Sequence, residues 1–421
     1  MARSKGDRHG WMAFASLCLV SLVVSGIAWN TLSLFADPVI KEWGILRTQY
    51  MFIMTLIAGI NTFVSFALFG KIEEKFGIRA IMVASLLFHA VAMLVFYFAN
   101  GLAMLYLAGL LWGMGLSLGG NSMRNTAVMY WFKKRCGTMV SVVAMVGQGS
   151  GVVFTTAFAA IIVAAGWRSA LLVTCVCCAV AAVACFFLYR GSPEKLGVRP
   201  LYDEGPGDDS ADAGESQGVS FAEALHTKQF YILCLAWFTL GIGADGIMSS
   251  LVLIASDYGY VAQSGMVLSA CLLSSTVFSP VGGWICDRFG SRVLVNIGIG
   301  LLIVSCGLLC LGAVPLWLLF VIAVFLGFVW NCSIVPQASS TIEVFGRRDF
   351  AKKNTIFVSM QCLGVAVAPP FLNAFYDFAG GYGAGYAATA VLAVITFFLF
   401  AGVKAVKREN ESAAAEPAEV K

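Results

Sequence analysis

The chain has 421 residues, of which 59% are hydrophobic and only 12% charged, with a net charge of +4. Soluble domains carry about 25% charged residues, so a soluble bundle is excluded and no nucleic-acid partner is expected. Apolar runs approaching 20 residues recur along the whole length, continuous rather than alternating, which points to membrane-crossing helices and not to a β-barrel.

The first run, WMAFASLCLVSLVVSGIAW, follows MARSKGDRHG. It is too long for a signal-peptide core and has no small-residue cleavage site, so it is read as a retained first span. Twelve spans are predicted, at about 11–35, 48–70, 80–99, 101–126, 138–163, 168–189, 229–254, 263–286, 293–311, 315–338, 354–375 and 384–403. Asn100–Gly101 is a tight turn between the third and fourth. The polar stretch 191–228 holds GPGDDSADAGESQG and reads as a flexible linker. It divides the chain into a six-span half at 1–190 and another at 229–403, with a polar tail at 404–421. The expected class is thus an all-α polytopic membrane protein of twelve helices in two six-helix bundles.

Charge gives the orientation. Of the 27 Lys and Arg residues, Lys41, Arg47 and Arg168 fall on one side, Arg124 falls inside a span, and all the others fall on the opposite side. The positive-inside rule then places both termini and the linker in the cytoplasm, in a multi-pass protein of the cytoplasmic membrane contacting its lipids. Twelve of the 13 cysteines lie within or at the ends of apolar runs and show no metal or redox spacing, so they are packing residues. No metal and no cofactor is expected.

An internal repeat emerges at an offset of 213 residues. GKIEEKFGIR at 70–79 aligns with GWICDRFGSR at 283–292, pairing Gly70 with Gly283, Glu74 with Asp287, Lys75 with Arg288, Gly77 with Gly290 and Arg79 with Arg292. FKKR at 132–135 aligns with FGRR at 345–348, and Gly151 with Gly364. Two copies of one unit are a common design of secondary transporters. On these residues the chain resembles the major facilitator superfamily over nearly its whole length. The two ten-residue stretches resemble that superfamily's loops between helices 2 and 3 and between helices 8 and 9. The first copy departs from the pattern in having Glu74 and Lys75 where aspartate and arginine are usual.

LFADPVIKEWGILRTQ, YWFKKRCGTMVSVVAMVGQGSG, SPEKLGVRP and FAEALHTKQFY further resemble the monocarboxylate and oxalate/formate branch. That resemblance implies a monomer moving small carboxylates, with protons or in exchange for a counter-anion. It also implies that Gly70, Glu74, Lys75, Gly77, Arg79, Gly283, Asp287, Arg288, Gly290 and Arg292 latch the cytoplasmic side when the protein opens outward. A carboxylate such as Asp287 is expected to sit at a helix N-terminus, where free N–H groups accept it.

GQGSG at 147–151 follows no strand and is read as a close helix contact rather than a phosphate loop. Pro369–Pro370 is expected to kink or break the eleventh span. Arg124 lies seven residues before Trp131, about 10 Å of helix rise, a depth at which an arginine needs a partner or a water-filled cavity. A guanidinium also matches a carboxylate in bidentate geometry. Ser117, Asn121 and Arg124 fall on one helical face with Gly113, and the superfamily resemblance turns that face inward. Asn30, Trp330, Asn331 and Gln361 are further candidates for substrate contact, or for bonds between helices.

Asp245, alone in the middle of the seventh span, is costly to keep ionised there. It is the candidate for coupling, as a proton carrier or as a partner of Arg124. His89 and Asn61 are expected to pack. The eighth and eleventh spans lack interior basic residues, with Lys352 and Lys353 only at the mouth of the eleventh, so one deep arginine fits a monocarboxylate better than a dicarboxylate. The leading expectation is a secondary transporter of a small organic anion. The alternatives are an exporter of a drug-like or other non-carboxylate solute, and a sensor that keeps the fold. No nucleophile–base set or ATP-binding motif supports an enzyme or an ATP-driven pump.

Overall fold

A computed structural model describes residues 2–132, 136–198, 201, 218–312, 314–346 and 348–403. Most of the predicted linker, the tail at 404–421 and residues 133–135 and 347 of the repeat lie outside the described residues. The N-terminal half runs α1 (Ala2–Ser21), a π-helical segment (Leu22–Trp29), a 3₁₀ turn (Leu32–Phe35), α2 (Ala36–Trp43), α3 (Arg47–Ala67), α4 (Phe69–Tyr97), α5 (Leu102–Gly119), α6 (Asn121–Trp131), α7 (Cys136–Ala165) and α8 (Trp167–Leu188). Short α9 (Pro193–Leu196) and α10 (Phe221–Leu225) lie within the predicted linker, near its two ends. The C-terminal half runs α11 (Lys228–Asp257), α12 (Ser264–Phe289), α13 (Ser291–Leu309), α14 (Leu316–Ile334), α15 (Pro336–Phe345), α16 (Phe350–Ala379) and α17 (Gly383–Gly402).

The protein is a multi-pass integral membrane protein. Eleven helical stretches among the described residues are long and apolar enough to cross a bilayer. The expected span at 48–70 coincides with α3, a helix of 21 residues. Each half packs its own apolar core, one built mainly from residues between Ala13 and Leu201, the other between Val219 and Val403. The halves meet where α3 packs on α16 and α7 on α12.

Three expectations are corrected in detail. GKIEEKFGIR is not a loop: α4 begins at Phe69, and its helical course is interrupted only at Gly77. Gly77 (φ 75°, ψ 161°) and its twin Gly290 (φ 88°, ψ 162°) share one backbone conformation, which L side chains avoid, so the repeat seen in sequence is also a repeat of geometry. The carboxylate at the start of α13 is not Asp287, which is exposed, but Glu343, which accepts the Ser291 N–H at 3.0 Å and its hydroxyl at 2.6 Å. The position equivalent to Glu343 by the same offset, Tyr130, donates its hydroxyl to Glu73 at 2.9 Å. Finally, Pro369 and Pro370 do not break α16. Pro370 has no N–H for the carbonyl of Ala366, and Thr55 of the other half donates its hydroxyl there instead.

The ends of the linker are pinned symmetrically. The Leu201 N–H donates to the Trp131 carbonyl at 2.7 Å, at the end of α6, and the Val219 N–H to the Phe345 carbonyl at 3.0 Å, at the end of α15. Lys353 is fully buried and donates to the carbonyls of Val219 and Phe345. It holds the linker rather than standing free at the mouth of a span. The N–H of Phe221 donates to Asp349 and holds its carboxyl below the usual carboxylate range.

Within lipid, helices associate by close packing rather than by water exclusion. Gly241 of α11 and Gly364 of α16 face each other, and a Cβ at either would strike the opposing backbone, Gln361 O and Phe238 O respectively. Gly364→Val is therefore expected to destabilise the C-terminal half by about 1–3 kcal/mol or more. A lower thermal midpoint of the detergent-purified protein checks this, and an unchanged midpoint counts against the packing account.

Candidate functional site

Two interruptions of regular helix set the site. The first span passes from α-helix to π-helix at Leu22 and to a 3₁₀ turn at Leu32. π-Helical turns, wider than α-helical ones, recur at functional positions. The predicted fourth span breaks at Gly120, which is extended, between α5 and α6. The break resets the helical phase. Gly113 and Ser117 consequently do not share a face with Asn121 and Arg124. Ser117 is fully buried, its hydroxyl donating to the Gly113 carbonyl at 2.6 Å, while a Cβ on Gly113 would strike α3.

Arg124 lies in the first turn of α6 and is 8% exposed. Its Nη1 donates to the hydroxyls of Ser21 at 2.6 Å and Ser25 at 2.9 Å, and its Nη2 to the Asn121 side-chain oxygen at 2.6 Å. Ser21 and Ser25 flank and enter the π segment, so the unusual turn and the arginine form one unit. All three acceptors are neutral. Among the described residues Arg124 has no carboxylate partner, and the suggested pair with Asp245 is not formed. A cation this deep is stable only with compensating dipoles and access to water or an anion.

Beyond Arg124 the first span contributes Trp29, Asn30 and Ser33 to a chamber between the halves. Its other walls are Met54 and Ala58 of α3, Asp245, Met248 and Ser249 of α11, Leu268 and Leu272 of α12, and Val365 of α16. Among the described residues, no lysine, arginine or histidine lines it. Asp245 is 8% exposed and neither donates to nor accepts from any described residue. Of the other predicted contacts, Asn331 donates to the carbonyls of Ser275 and Gly327. Gln361 donates to the Ser333 carbonyl and accepts from Gln337. Trp330 packs against the C-terminal core. Asn331 and Gln361 thus bond between helices of their own half, and of the predicted polar set only Asn30 and Asp245 share the chamber.

Two segments of the chain, 18–260 and 230–420, match the family model described as Major Facilitator Superfamily. The chain belongs to the major facilitator superfamily. Its structure is similar to that of the nucleoside transporter NupG, with 12% identity, a TM-score of 0.70, and coverage of 94% of this chain and 100% of that one. An aspartate-to-alanine mutant of NupG gives 12% identity, a TM-score of 0.74, and coverage of 93% and 99%. At that identity the likeness is one of fold. No curated protein matches by sequence. This major facilitator is a secondary-active transporter of small molecules, not an enzyme.

The facilitator's two halves are joined by polar contacts on the face opposite its basic loops. Arg47 binds Asp257 in a two-pronged ion pair at 2.5 and 2.6 Å and donates to the Tyr382 hydroxyl at 3.0 Å. Its guanidinium also lies 3.7 Å above the Tyr376 ring. The backbone N–H groups of Arg47 and Thr48 donate to Asp377, so a carboxylate of one half caps a helix of the other. Sequence reading missed this lock. Arg47 and Asp257 each looked like an ordinary loop charge, and nothing local links residues 210 apart.

On the basic face, Glu74, Lys75, Asp287, Arg288 and Arg292 are exposed, with Gly70 beside them. Gly283 is half-buried at the last turns of α12. Arg79 bonds within its own half, to the Phe186 carbonyl at 2.7 and 3.1 Å.

Proposed function

We propose that this transporter moves a small organic anion, a monocarboxylate, bound by Arg124 in the cleft between two six-span halves, 1–190 and 229–403. The observation that carries this reading is the Arg124 guanidinium, buried among neutral partners with no acid to neutralise it among the described residues. A carboxylate supplies the missing charge and accepts from the remaining N–H groups. Asn121, one turn away, is exposed beside it. The solute's path is alternating access across the cytoplasmic membrane, with the basic face, the 191–228 linker and the 404–421 tail in the cytoplasm and a monomer as the working unit. Polar contacts joining the halves on the other face support a state open toward the basic side. In that state the Gly70–Arg79 and Gly283–Arg292 latch is released, and it is to close when the cleft opens outward.

Asp245 is the coupling group, taking a proton in symport; exchange for a second anion remains the other mode. Asp245→Asn is expected to flatten the dependence of uptake on an imposed pH gradient. Unchanged pH dependence together with unchanged transport removes Asp245 from the mechanism.

A second reading has specific support: a non-carboxylate solute. The chamber itself holds Asp245 and no cation, and the fold is similar to that of a nucleoside transporter, so the comparisons lie nearer to this reading. Thermal stabilisation of the purified protein by pyruvate, lactate and formate, against uridine and adenosine, separates the two. Stabilisation by the nucleosides alone overturns the anion reading.

A further inference from the structure

The chamber behind Arg124 has chemistry of its own. Asp245 is more than nine-tenths buried, has no bonding partner among the described residues, and lines the chamber wall. Asn30, on the first span, lines the same chamber. Its Nδ2 is buried without a partner against Gly151, where an added Cβ would collide with it. The two ends of an amide point apart, so the Asn30 carbonyl oxygen is the end left for the chamber. Ser249 donates its proton to the Gly246 carbonyl at 3.2 Å, which leaves its oxygen free to accept. With the Ser33 hydroxyl, which can donate or accept, these groups form the polar wall; Asp245 is its one charged group among the described residues, and no side-chain cation lines the chamber to answer it.

The rest of the wall is apolar and aromatic: Trp29, Met54, Met248, Leu268 and Leu272. A bare metal ion requires oxygen ligands on most sides, and this wall offers them on one. An organic ammonium fits both parts. Its N–H groups donate to Asp245, Asn30 and Ser249, its charge sits over an indole face, and its carbon chain meets the methionines and leucines.

We propose that the chamber binds an ammonium group of the transported solute, so that the substrate class is an amino carboxylate with its two charges set apart. The inference rests on Arg124 taking the carboxylate. It explains why Arg124 and Asp245, each without an ionic partner among the described residues, do not meet. Asn30 lies five residues beyond Ser25, at most about 7.5 Å of helix rise, so a solute spanning both groups carries several bonds between carboxylate and ammonium. An ω-amino acid satisfies this, and glycine does not.

The test is the concentration giving half-maximal thermal stabilisation of the full-length, detergent-purified protein. The probes are 5-aminopentanoate, pentanoate and pentylamine. Wild type is expected to respond to 5-aminopentanoate at a concentration at least tenfold below that for pentanoate. Asp245→Asn is expected to bring the two within about twofold, since a site built to hydrogen-bond a group loses its preference when the partner is removed. Asn30→Leu is to narrow the gap as well, and serves if the Asp245 variant does not fold. Equal responses of wild type to 5-aminopentanoate and pentanoate overturn the proposal, as does an Asp245→Asn protein that keeps the preference. If pentylamine binds as well as 5-aminopentanoate and pentanoate does not bind, the ammonium chamber stands and the role of Arg124 falls. Binding of none of the three overturns both.

Discussion

Arg124→Ala is expected to raise the concentration of a small carboxylate needed for half-maximal binding by at least about 25-fold. Removing one partner of a buried, hydrogen-bonded charge pair costs about 2–5 kcal/mol, and each 1.4 kcal/mol is about tenfold. The protein itself is not expected to lose stability in proportion. In the absence of solute the guanidinium is an uncompensated buried charge, which favours folding little. Arg124→Lys keeps the charge but loses the planar fork that meets Ser21, Ser25 and Asn121 together. It is expected to bind between wild type and the alanine variant. Ser25→Ala leaves the charge and one serine in place, and a smaller loss of about fivefold follows from one missing hydrogen bond. If Arg124→Ala binds carboxylates as wild type does, the anion site lies elsewhere.

Arg47→Ala is expected to have the largest effect on conformation. Arg47 joins the two halves through Asp257, Tyr382 and the Tyr376 ring at once. Its side chain is 12% exposed, and that of Asp257 28%, so the pair is shielded from solvent on most sides and keeps more of its strength than an open surface pair. A coupling of about 1.5–2 kcal/mol, at the low end for close pairs across an interface, shifts the balance toward the state open on that face by about tenfold or more.

The hydrogen bonds continue inward. The Tyr382 hydroxyl donates to Asn373 at 2.6 Å, and Asn373 donates to Ser250 at 2.8 Å, next to Ser249 of the chamber. A probe cysteine at Ser250, buried in this structure, reports the opening when placed in a cysteine-free background. Labelling by a membrane-impermeant maleimide is expected to quicken about tenfold in the Arg47→Ala protein, and Asp257→Ala is to add little on top of it. An unchanged labelling rate shows that the lock does not hold the face closed.

The membrane class and the repeat were legible because they depend on long-range sums. Apolar runs of bilayer length and a one-sided excess of Lys and Arg survive errors of several residues at each helix end. Gly77 and Gly290 were visible as a pair because both must take a backbone conformation that other residues resist. Arg124 stood out because a buried charge is costly wherever its helix turns.

The rest depended on local geometry that the residue types do not encode. LVVSGIAW has no feature that distinguishes a π-helix from an α-helix, yet that turn sets how Ser21 and Ser25 grip the arginine. The shared face of Ser117 and Arg124 failed because one extended residue, Gly120, resets the register between α5 and α6. Asn331 and Gln361 are polar residues in spans, and spacing alone cannot separate a solute contact from a bond between helices. Their partners, Ser275, Gly327, Ser333 and Gln337, lie 4 to 56 residues away. A break at Pro369–Pro370, one of the two outcomes expected beside a kink, is avoided because rescue comes from Thr55, more than 300 residues earlier.

The most direct measurement of the central claim is counterflow in proteoliposomes. Vesicles holding the purified protein and loaded with one unlabelled carboxylate are diluted into trace labelled carboxylate, and transient accumulation of label is followed for wild type and for Arg124→Ala. The account predicts an overshoot with small carboxylates in wild type, its loss in Arg124→Ala, and none with uridine or adenosine. Accumulation of a nucleoside with no overshoot for any carboxylate, or an overshoot that survives Arg124→Ala, would contradict it.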